Sequence, residues 1–196
     1  MEITWPVGKR KIKEEPPIVY LIGVKHSLQS DGPRDASESE RKIFAEYLKQ
    51  CVLKYEITFL GEEFNEESVS GHQAKHSTVA LLAVDMKIEH RFCEPNSLER
   101  KKLGIPTPGE LVGQLGITPK FNIGSHRVYA SEDIEKIYRE DQKYFSARER
   151  FWLEKSKNRL EKNILFVCGA SHLDSFSRLL QNQNIPSIIL DTKFHF

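Results

Sequence analysis

Residues 18–26 read Ile18-Val19-Tyr20-Leu21-Ile22-Gly23-Val24-Lys25-His26, an apolar run followed by a glycine and, three residues later, a histidine. The run has the length and the β-branched and aromatic content of a buried strand. A glycine after such a strand opens the turn, and the histidine then lies at the end of the sheet. The segment therefore predicts a strand that brings an imidazole to one sheet edge.

The same pattern occurs a second time near the other end of the chain, as Ile164-Leu165-Phe166-Val167-Cys168-Gly169-Ala170-Ser171-His172. One glycine after one strand is ordinary turn chemistry. Two copies in matched context instead predict one site built from two strand ends, with His26 and His172 as its first candidate residues.

Strand and helix patterns alternate between and around these two copies. The predicted strands are 18–22, 57–60, 89–93, 164–168 and 187–190. The first predicted helix begins at a capping box at 37–40, and further helices are predicted over 78–86 (capped by Ser77), 132–160 and 173–181. The first helix carries an apolar stripe that runs from Ile43 to Tyr55. Such alternation predicts an α/β fold, a mainly parallel sheet with helices on both faces, whose ligands bind beyond the carboxyl ends of the strands.

The chain has 196 residues, enough for one domain with a full core, and we expect a single α/β domain over residues 1–196. Between residues 103 and 130 three prolines and five glycines interrupt the periodic pattern. This composition predicts a Pro/Gly-rich insertion, either loop-rich or a lid.

Composition narrows the classes of function. Apolar residues make up 39% and charged residues 29%, and no apolar stretch reaches the ~18–20 residues of a membrane span. The N-terminal segment, which contains a basic cluster at residues 9–11, lacks the apolar core of a signal peptide. The basic cluster is expected to be solvated. A net charge of +1 gives no reason to expect nucleic acid or another polyanion as a partner.

The three cysteines, Cys51, Cys93 and Cys168, are odd in number and have no CxxC spacing. They are expected to be reduced thiols in the core of a cytoplasmic protein rather than a disulfide framework.

Polar residues follow the last apolar residue of four predicted strands. They are His26, the pair Glu62 and Glu63, Glu94, and His172. Two histidines with a carboxylate suit a divalent transition metal such as Zn, Mn, Co or Fe, with His26, His172 and Glu63 as ligands. The same residues could work without metal, a glutamate polarising a histidine that takes a proton from water. The glutamates could also belong to a solvated acidic loop.

Arg148 lies among aromatic residues on the last long helical segment, because Tyr144, Phe145, Phe151 and Trp152 are three or four positions from it. An arginine that faces a core must be paired, and the strand-end carboxylates are the nearest candidates. Its side chain could alternatively extend over the aromatic rings to water.

Two weaker patterns are also present. Ser171 occupies the place of a nucleophile between strand and helix, but Leu173 replaces the second glycine of GxSxG. His72 and His76 have the i, i+4 spacing of zinc ligands, but the polar segment around them favours an exposed loop.

These motifs together resemble the superfamily that includes TraB, Tiki and the erythromycin esterases, and also a group of short bacterial proteins of unassigned role. The shared elements are two GxxH motifs, a glutamate at the end of an intervening strand, and an arginine-containing helix of RDxxxM type. They correspond here to Gly23/His26, Gly169/His172, Glu62-Glu63 and Arg148-Glu149-Arg150-Phe151-Trp152. Glu149 stands where Asp is usual, and the doubled glutamate leaves the acting one open.

The resemblance implies metal-dependent peptidases, hydrolytic esterases and haem-binding or regulatory proteins as relatives. The leading hypothesis is a hydrolase of a small-molecule or peptide substrate, in which His26, His172 and Glu62 or Glu63 activate water and Arg148 orients the glutamate or stabilises an oxyanion. The alternatives are a non-catalytic protein that binds a small ligand or haem in the same pocket, and a serine hydrolase that uses Ser171.

Overall fold

The computed structural model of the chain describes residues 16–32, 36–123, 126–192 and 194, so the basic cluster at 9–11 lies outside the described residues. Its strands are β1 Val19–Val24, β2 Phe59–Glu62, β3 Glu89–Phe92, β4 Phe121–Ile123, β5 His126–Val128, β6 Ile164–Gly169 and β7 Ser187–Asp191. Five of them form an all-parallel sheet in the order β3-β2-β6-β1-β7, and β4 and β5 form a separate antiparallel pair.

Eight α-helices and four 3-10 turns connect the described strands. The helices are α1 Glu38–Lys54, α2 Glu66–Gly71, α3 Thr78–Met86, α4 Ser97–Leu103, α5 Pro108–Gln114, α6 Ser131–Asp141, α7 Phe145–Ser156 and α8 Leu173–Asn182. The 3-10 turns are His26–Leu28, Gln142–Tyr144, Lys157–Arg159 and Ala170–His172. The predicted caps are confirmed, since Ser37 forms a capping box with Glu40 and Ser77 caps α3.

Two apolar layers cover the sheet. On one face α1 and α3 pack against the even-numbered positions of β1, for example Phe44 and Val79 against Ile22. On the other face α7 and α8 bury Trp152 and Phe176 against β6. The predicted α/β class, a parallel sheet with helices on both faces, is therefore confirmed. No helix in the described part of the chain is long and apolar enough to cross a bilayer.

The helix predicted over 132–160 is not continuous. α6 ends at Asp141, a 3-10 turn over Gln142–Tyr144 follows, and α7 runs only to Ser156 before a second 3-10 turn. α6 buries none of its residues whereas α7 buries six, so the two segments share no common buried face. The spacing of apolar residues alone does not reveal that the surroundings of the helix change at this junction.

The apolar stripe predicted for α1 was too wide. Ile43 is 55% exposed, because it lies about 100° around the helix from Phe44, which faces the sheet. The segment 103–130 contains α5 and the β4–β5 pair in addition to loops. The three cysteines are free thiols and all are buried.

Candidate functional site

The two GxxH motifs end on neighbouring strands. β1 and β6 pair in parallel with Val24 opposite Gly169, so their carboxyl ends are level. His26 begins the 3-10 turn after β1, and His172 ends the 3-10 turn after β6. Both histidines therefore reach the same edge of the sheet, as the matched sequence context predicts.

The glycine of each motif is required by close approach of neighbouring groups. A Cβ added at Gly169 would lie 3.0 Å from His26 Nε2 and 3.3 Å from Glu63 Oε2. A Cβ added at Gly23 would lie 2.5 Å from the Leu173 side chain and 2.6 Å from the backbone oxygen of Thr192. Gly169 thus makes room for the site, and Gly23 makes room for the start of α8.

Glu63 is the centre of the cluster. Its Oε1 lies 3.4 Å from His172 Nε2 and 3.8 Å from His26 Nε2, and it accepts a hydrogen bond from Arg148. Its Oε2 accepts the backbone N–H of Gly169 at 2.7 Å. Burial would raise the pKa of Glu63, but the positive charges of the two imidazoles and the guanidinium, with the Gly169 N–H, lower it to about 2.

Arg148 is buried and paired with three carboxylates. Its Nε donates to Glu94 at 3.0 Å, its Nη1 to Asp141 at 3.2 Å and its Nη2 to Glu63. Arg148 is therefore paired with carboxylates and does not extend to water, since only 6% of the residue is exposed. Burial lowers the pKa of Arg148, but the three carboxylates outweigh it and raise the pKa above its usual value.

Glu94 belongs to the same charge network. It accepts hydrogen bonds from Arg148, from the indole Nε1 of Trp152 at 3.0 Å and from Arg100. The indole contact gives Trp152 a role in the network besides its packing. Glu94 thereby connects α7, which carries Arg148 and Trp152, to the end of β3.

His172 is held from the side opposite Glu63. Its Nδ1 is 2.9 Å from Oε1 of Glu149, which also accepts the hydroxyl of Ser175. The ring lies against Phe145, with centroids 3.6 Å apart, and only 2% of the residue is exposed. Reasoning from residue spacing missed Glu149; the available signal was its place in the arginine-helix motif, at the position where the resemblance has Asp.

Glu62 points away from this cluster. Successive residues of a strand face opposite sides of the sheet, so only one glutamate of the pair can approach the histidines. Glu62 accepts hydrogen bonds from Ser77 at 2.6 Å, His90 at 2.7 Å and Gln29 at 3.3 Å. Gln29 was also missed by sequence reasoning, although it lies three residues after His26.

The residues of the weaker patterns lie around the cluster rather than at its centre. Ser171 is exposed on the 3-10 turn before α8. His72 ends the short helix α2, and its ring contacts Phe64. His76 is exposed and precedes Ser77, as the loop interpretation predicts.

A cavity of about 220 Å³ opens at the cluster. Its charged and imidazole lining consists of His26, Glu63, His72, Glu94, Arg100 and Arg148. A larger cavity of about 370 Å³ lies between α1 and α3, where Asp31, Arg41 and Leu81 contribute to its walls. His26 and Glu63 line the cavity at the cluster, and His172 does not line it but approaches Glu63.

The predicted metal ligands surround an oxygen that is already bound by a cation. Across the residues that the structure describes, no group of three or more His, Cys, Asp or Glu side chains is arranged to hold a metal ion. The oxygen of Glu63 that both imidazoles face is bound by the Arg148 guanidinium, and a divalent cation would have to displace that charge. The assignment of His26, His172 and Glu63 as metal ligands stays a prediction.

No family model, curated protein or solved structure matches the chain. The resemblance to the TraB, Tiki and erythromycin esterase superfamily therefore depends on the short motifs alone.

Proposed function

We propose that the protein is a hydrolase in which His26 and Glu63 activate water for attack on a small-molecule or peptide substrate. The observation that carries the proposal is the convergence of His26 Nε2 and His172 Nε2 on one oxygen of a buried glutamate, beside a cavity. Imidazoles placed beside a buried carboxylate in this way are typical of sites that transfer protons.

His26 is the general base of the proposed reaction. Its side chain is 47% exposed, so water and substrate can reach it, whereas His172 is buried. Water would lose a proton to His26 Nε2 as its oxygen attacks the electrophilic atom, and the imidazolium would return that proton to the leaving group. The ionised carboxylate of Glu63, 3.8 Å away, stabilises the imidazolium between these two steps.

His172 and Arg148 position Glu63 rather than react. Both have almost no exposure, and both approach Oε1 of the glutamate. Glu149 in turn orients His172. Arg100, whose side chain also lines the cavity, is the candidate to stabilise negative charge on a substrate oxygen.

The size of the cavity favours a small reacting group. Pockets for drug-sized ligands have volumes of about 300–1,000 Å³. The cavity at the cluster measures about 220 Å³, which suits an ester, amide or phosphoester group better than a haem.

Hydrolysis can be tested with the purified full chain against a panel of p-nitrophenyl esters, p-nitroanilides and p-nitrophenyl phosphates. Each substrate is assayed after treatment with a chelator and after addition of Zn, Mn, Co or Fe. His26→Ala and Glu63→Gln are expected to lower kcat/KM by about 10²–10⁴-fold, the usual contribution of acid–base catalysis. The exposed His76→Ala serves as the matched control and should leave the rate unchanged.

The alternatives give different results in the same assay. Binding of a panel compound without turnover would support the non-catalytic ligand-binding protein. Loss of activity in Ser171→Ala but not in His26→Ala would support the serine hydrolase, and activity that requires added metal would mean that Arg148 is displaced from Glu63.

A further inference from the structure

Glu62 is a buried carboxylate that the proposed reaction does not use. It is fully buried beneath α3, on the face of the sheet opposite Glu63. A buried carboxylate has a large free-energy cost unless hydrogen bonds replace its hydration. Ser77 and His90 donate to its Oε1, and Gln29 donates to its Oε2. Gln29 therefore connects Glu62 to His26, because its side chain bonds to both.

The chemistry of these groups sets the direction of each hydrogen bond between Glu62, Gln29 and His26. An ionised carboxylate only accepts, so the amide nitrogen of Gln29 must face Glu62. The amide oxygen then faces His26 Nδ1 at 2.8 Å and can only accept a hydrogen bond from it. Since a neutral imidazole carries one N–H, Nε2 of His26 is left without a proton.

Gln29 is held rigidly enough to impose this direction. It follows the 3-10 turn that begins at His26, and its backbone N–H donates to the oxygen of His26 at 2.9 Å. Its own backbone oxygen accepts the N–H of Thr78 at 2.8 Å, and its side chain is fully buried. Neither the backbone nor the side chain of Gln29 is exposed to water that could reverse the amide.

We propose that Glu62 and Gln29 are positioning residues that fix the tautomer of His26, with the proton on Nδ1 and the bare Nε2 toward the cavity and Glu63. The separation of 3.8 Å between Nε2 and Glu63 Oε1 is too long for a hydrogen bond, as expected where neither atom carries a proton. The consequence for catalysis rests on the proposed function, since only a bare Nε2 can accept a proton from water. The tautomer itself can be measured without a substrate.

The test is long-range ¹H–¹⁵N NMR of the histidine rings in the ¹⁵N-labelled full chain, at a pH of about 9, well above the ordinary histidine pKa of about 6.5. The His26 signals are assigned by their loss in His26→Gln. In the wild type the Nε2 resonance of His26 should lie at the position of an unprotonated nitrogen, and that of Nδ1 at the position of a protonated one.

Glu62→Gln is the decisive variant. It reverses the direction of the hydrogen bonds in the relay of residue 62, Gln29 and His26, and it keeps the shape of the side chain. The new amide keeps its oxygen for Ser77 and His90 and turns its NH₂ toward Gln29. Gln29 must then present its oxygen to residue 62 and its NH₂ to His26 Nδ1. The Nε2 resonance of His26 should therefore shift toward the protonated position.

Two further variants complete the design. Gln29→Leu removes the relay and should give a mixture of both tautomers, and it decides the question if Glu62→Gln does not fold. Ser77→Ala removes a donor to the other oxygen of Glu62 and should keep the wild-type tautomer. A proton on Nε2 in the wild type, or an unchanged tautomer in both Glu62→Gln and Gln29→Leu, would overturn the inference. The expected tautomers without turnover in the ester, anilide and phosphate panel would support the relay and overturn the hydrolase.

Discussion

At the scale of single residues, the site consists of charges that cannot be removed one at a time. Glu63 is buried because Arg148 and the N–H of Gly169 replace its hydration, and Arg148 is buried because Glu63, Glu94 and Asp141 replace its own. Each partner compensates the desolvation cost of the other, so deletion of one leaves the other orphaned. Such clusters contribute geometry to a site more than they contribute net stability.

Arg148→Ala should lower the free energy of unfolding by about 3–5 kcal/mol, because three carboxylates lose a buried cation. Urea titration followed by tryptophan fluorescence would measure the change. Arg150→Ala on the same helix is the matched control, since Arg150 is exposed and such surface changes stay within about 0.5 kcal/mol. Equal midpoints for the two variants would contradict the buried network.

Glu63 should make stability depend on pH in a predictable direction. Its pKa is lowered from 4.5 to about 2 in the folded state. A carboxyl group with a lowered folded pKa stabilises the fold fully above its unfolded pKa, and this contribution is lost as the pH falls through the folded pKa. Its size is up to about 3 kcal/mol. Glu63→Gln lacks the contribution at every pH.

The stability difference between wild type and Glu63→Gln should therefore shrink as the pH falls from about 4.5 toward 2. Urea titrations at stepped pH values give this difference. Glu46→Gln, which changes an exposed carboxylate on α1, should show little difference throughout. A wild-type advantage over Glu63→Gln that stays constant through this window would contradict the assignment.

At the scale of the elements, each strand–turn unit combines a glycine with a histidine, and the two glycines have different purposes. At Gly169 an added Cβ meets the partly exposed ring of His26, which can move outward. At Gly23 the added Cβ meets a backbone oxygen and a buried leucine, which cannot. One glycine is therefore required by the site and the other by packing.

Gly23→Ala should destabilise the protein by about 1–3 kcal/mol through overpacking, whereas Gly169→Ala should cost less than about 1 kcal/mol. The backbone at Gly169, with φ −57° and ψ 137°, is open to alanine. Gly169→Ala should instead shift the ring resonances of His26 and remove panel activity. Thermal melts and histidine NMR of both variants give the comparison, and the reverse pattern would exclude this division of roles.

The sequence predicted the strands and their polar ends because apolar runs and turn glycines are local signals. It predicted that both histidines reach one edge of the sheet, and it offered a buried pairing of Arg148 as one of two alternatives, since an arginine among core aromatics requires a partner. It could not choose between Glu62 and Glu63, because strand alternation separates them without saying which face bears the site. Gln29 and Glu149 were missed because their roles depend on partners that only the tertiary structure brings near.

At the scale of the whole molecule, buried area is distributed unevenly around the site. The sheet is covered by α1 and α3 on one face and by α7 and α8 on the other. α6 leads directly into α7 but buries none of its eleven residues, and Ile134 is 54% exposed. Only its last residue, Asp141, bonds to the buried network, through Arg148. The two consecutive helices should therefore differ in local stability.

Hydrogen exchange should resolve this difference, since exchange reports the free energy of local opening. Amides in the interior of α6 are expected to exchange at least about tenfold faster than those of α7, because opening α6 exposes little apolar surface. α8 is the matched control: it is similar in length to α6 but buries Leu173, Phe176 and Leu180, and its interior should be protected like that of α7. Equal protection in all three helices would mean that α6 opens only with the core.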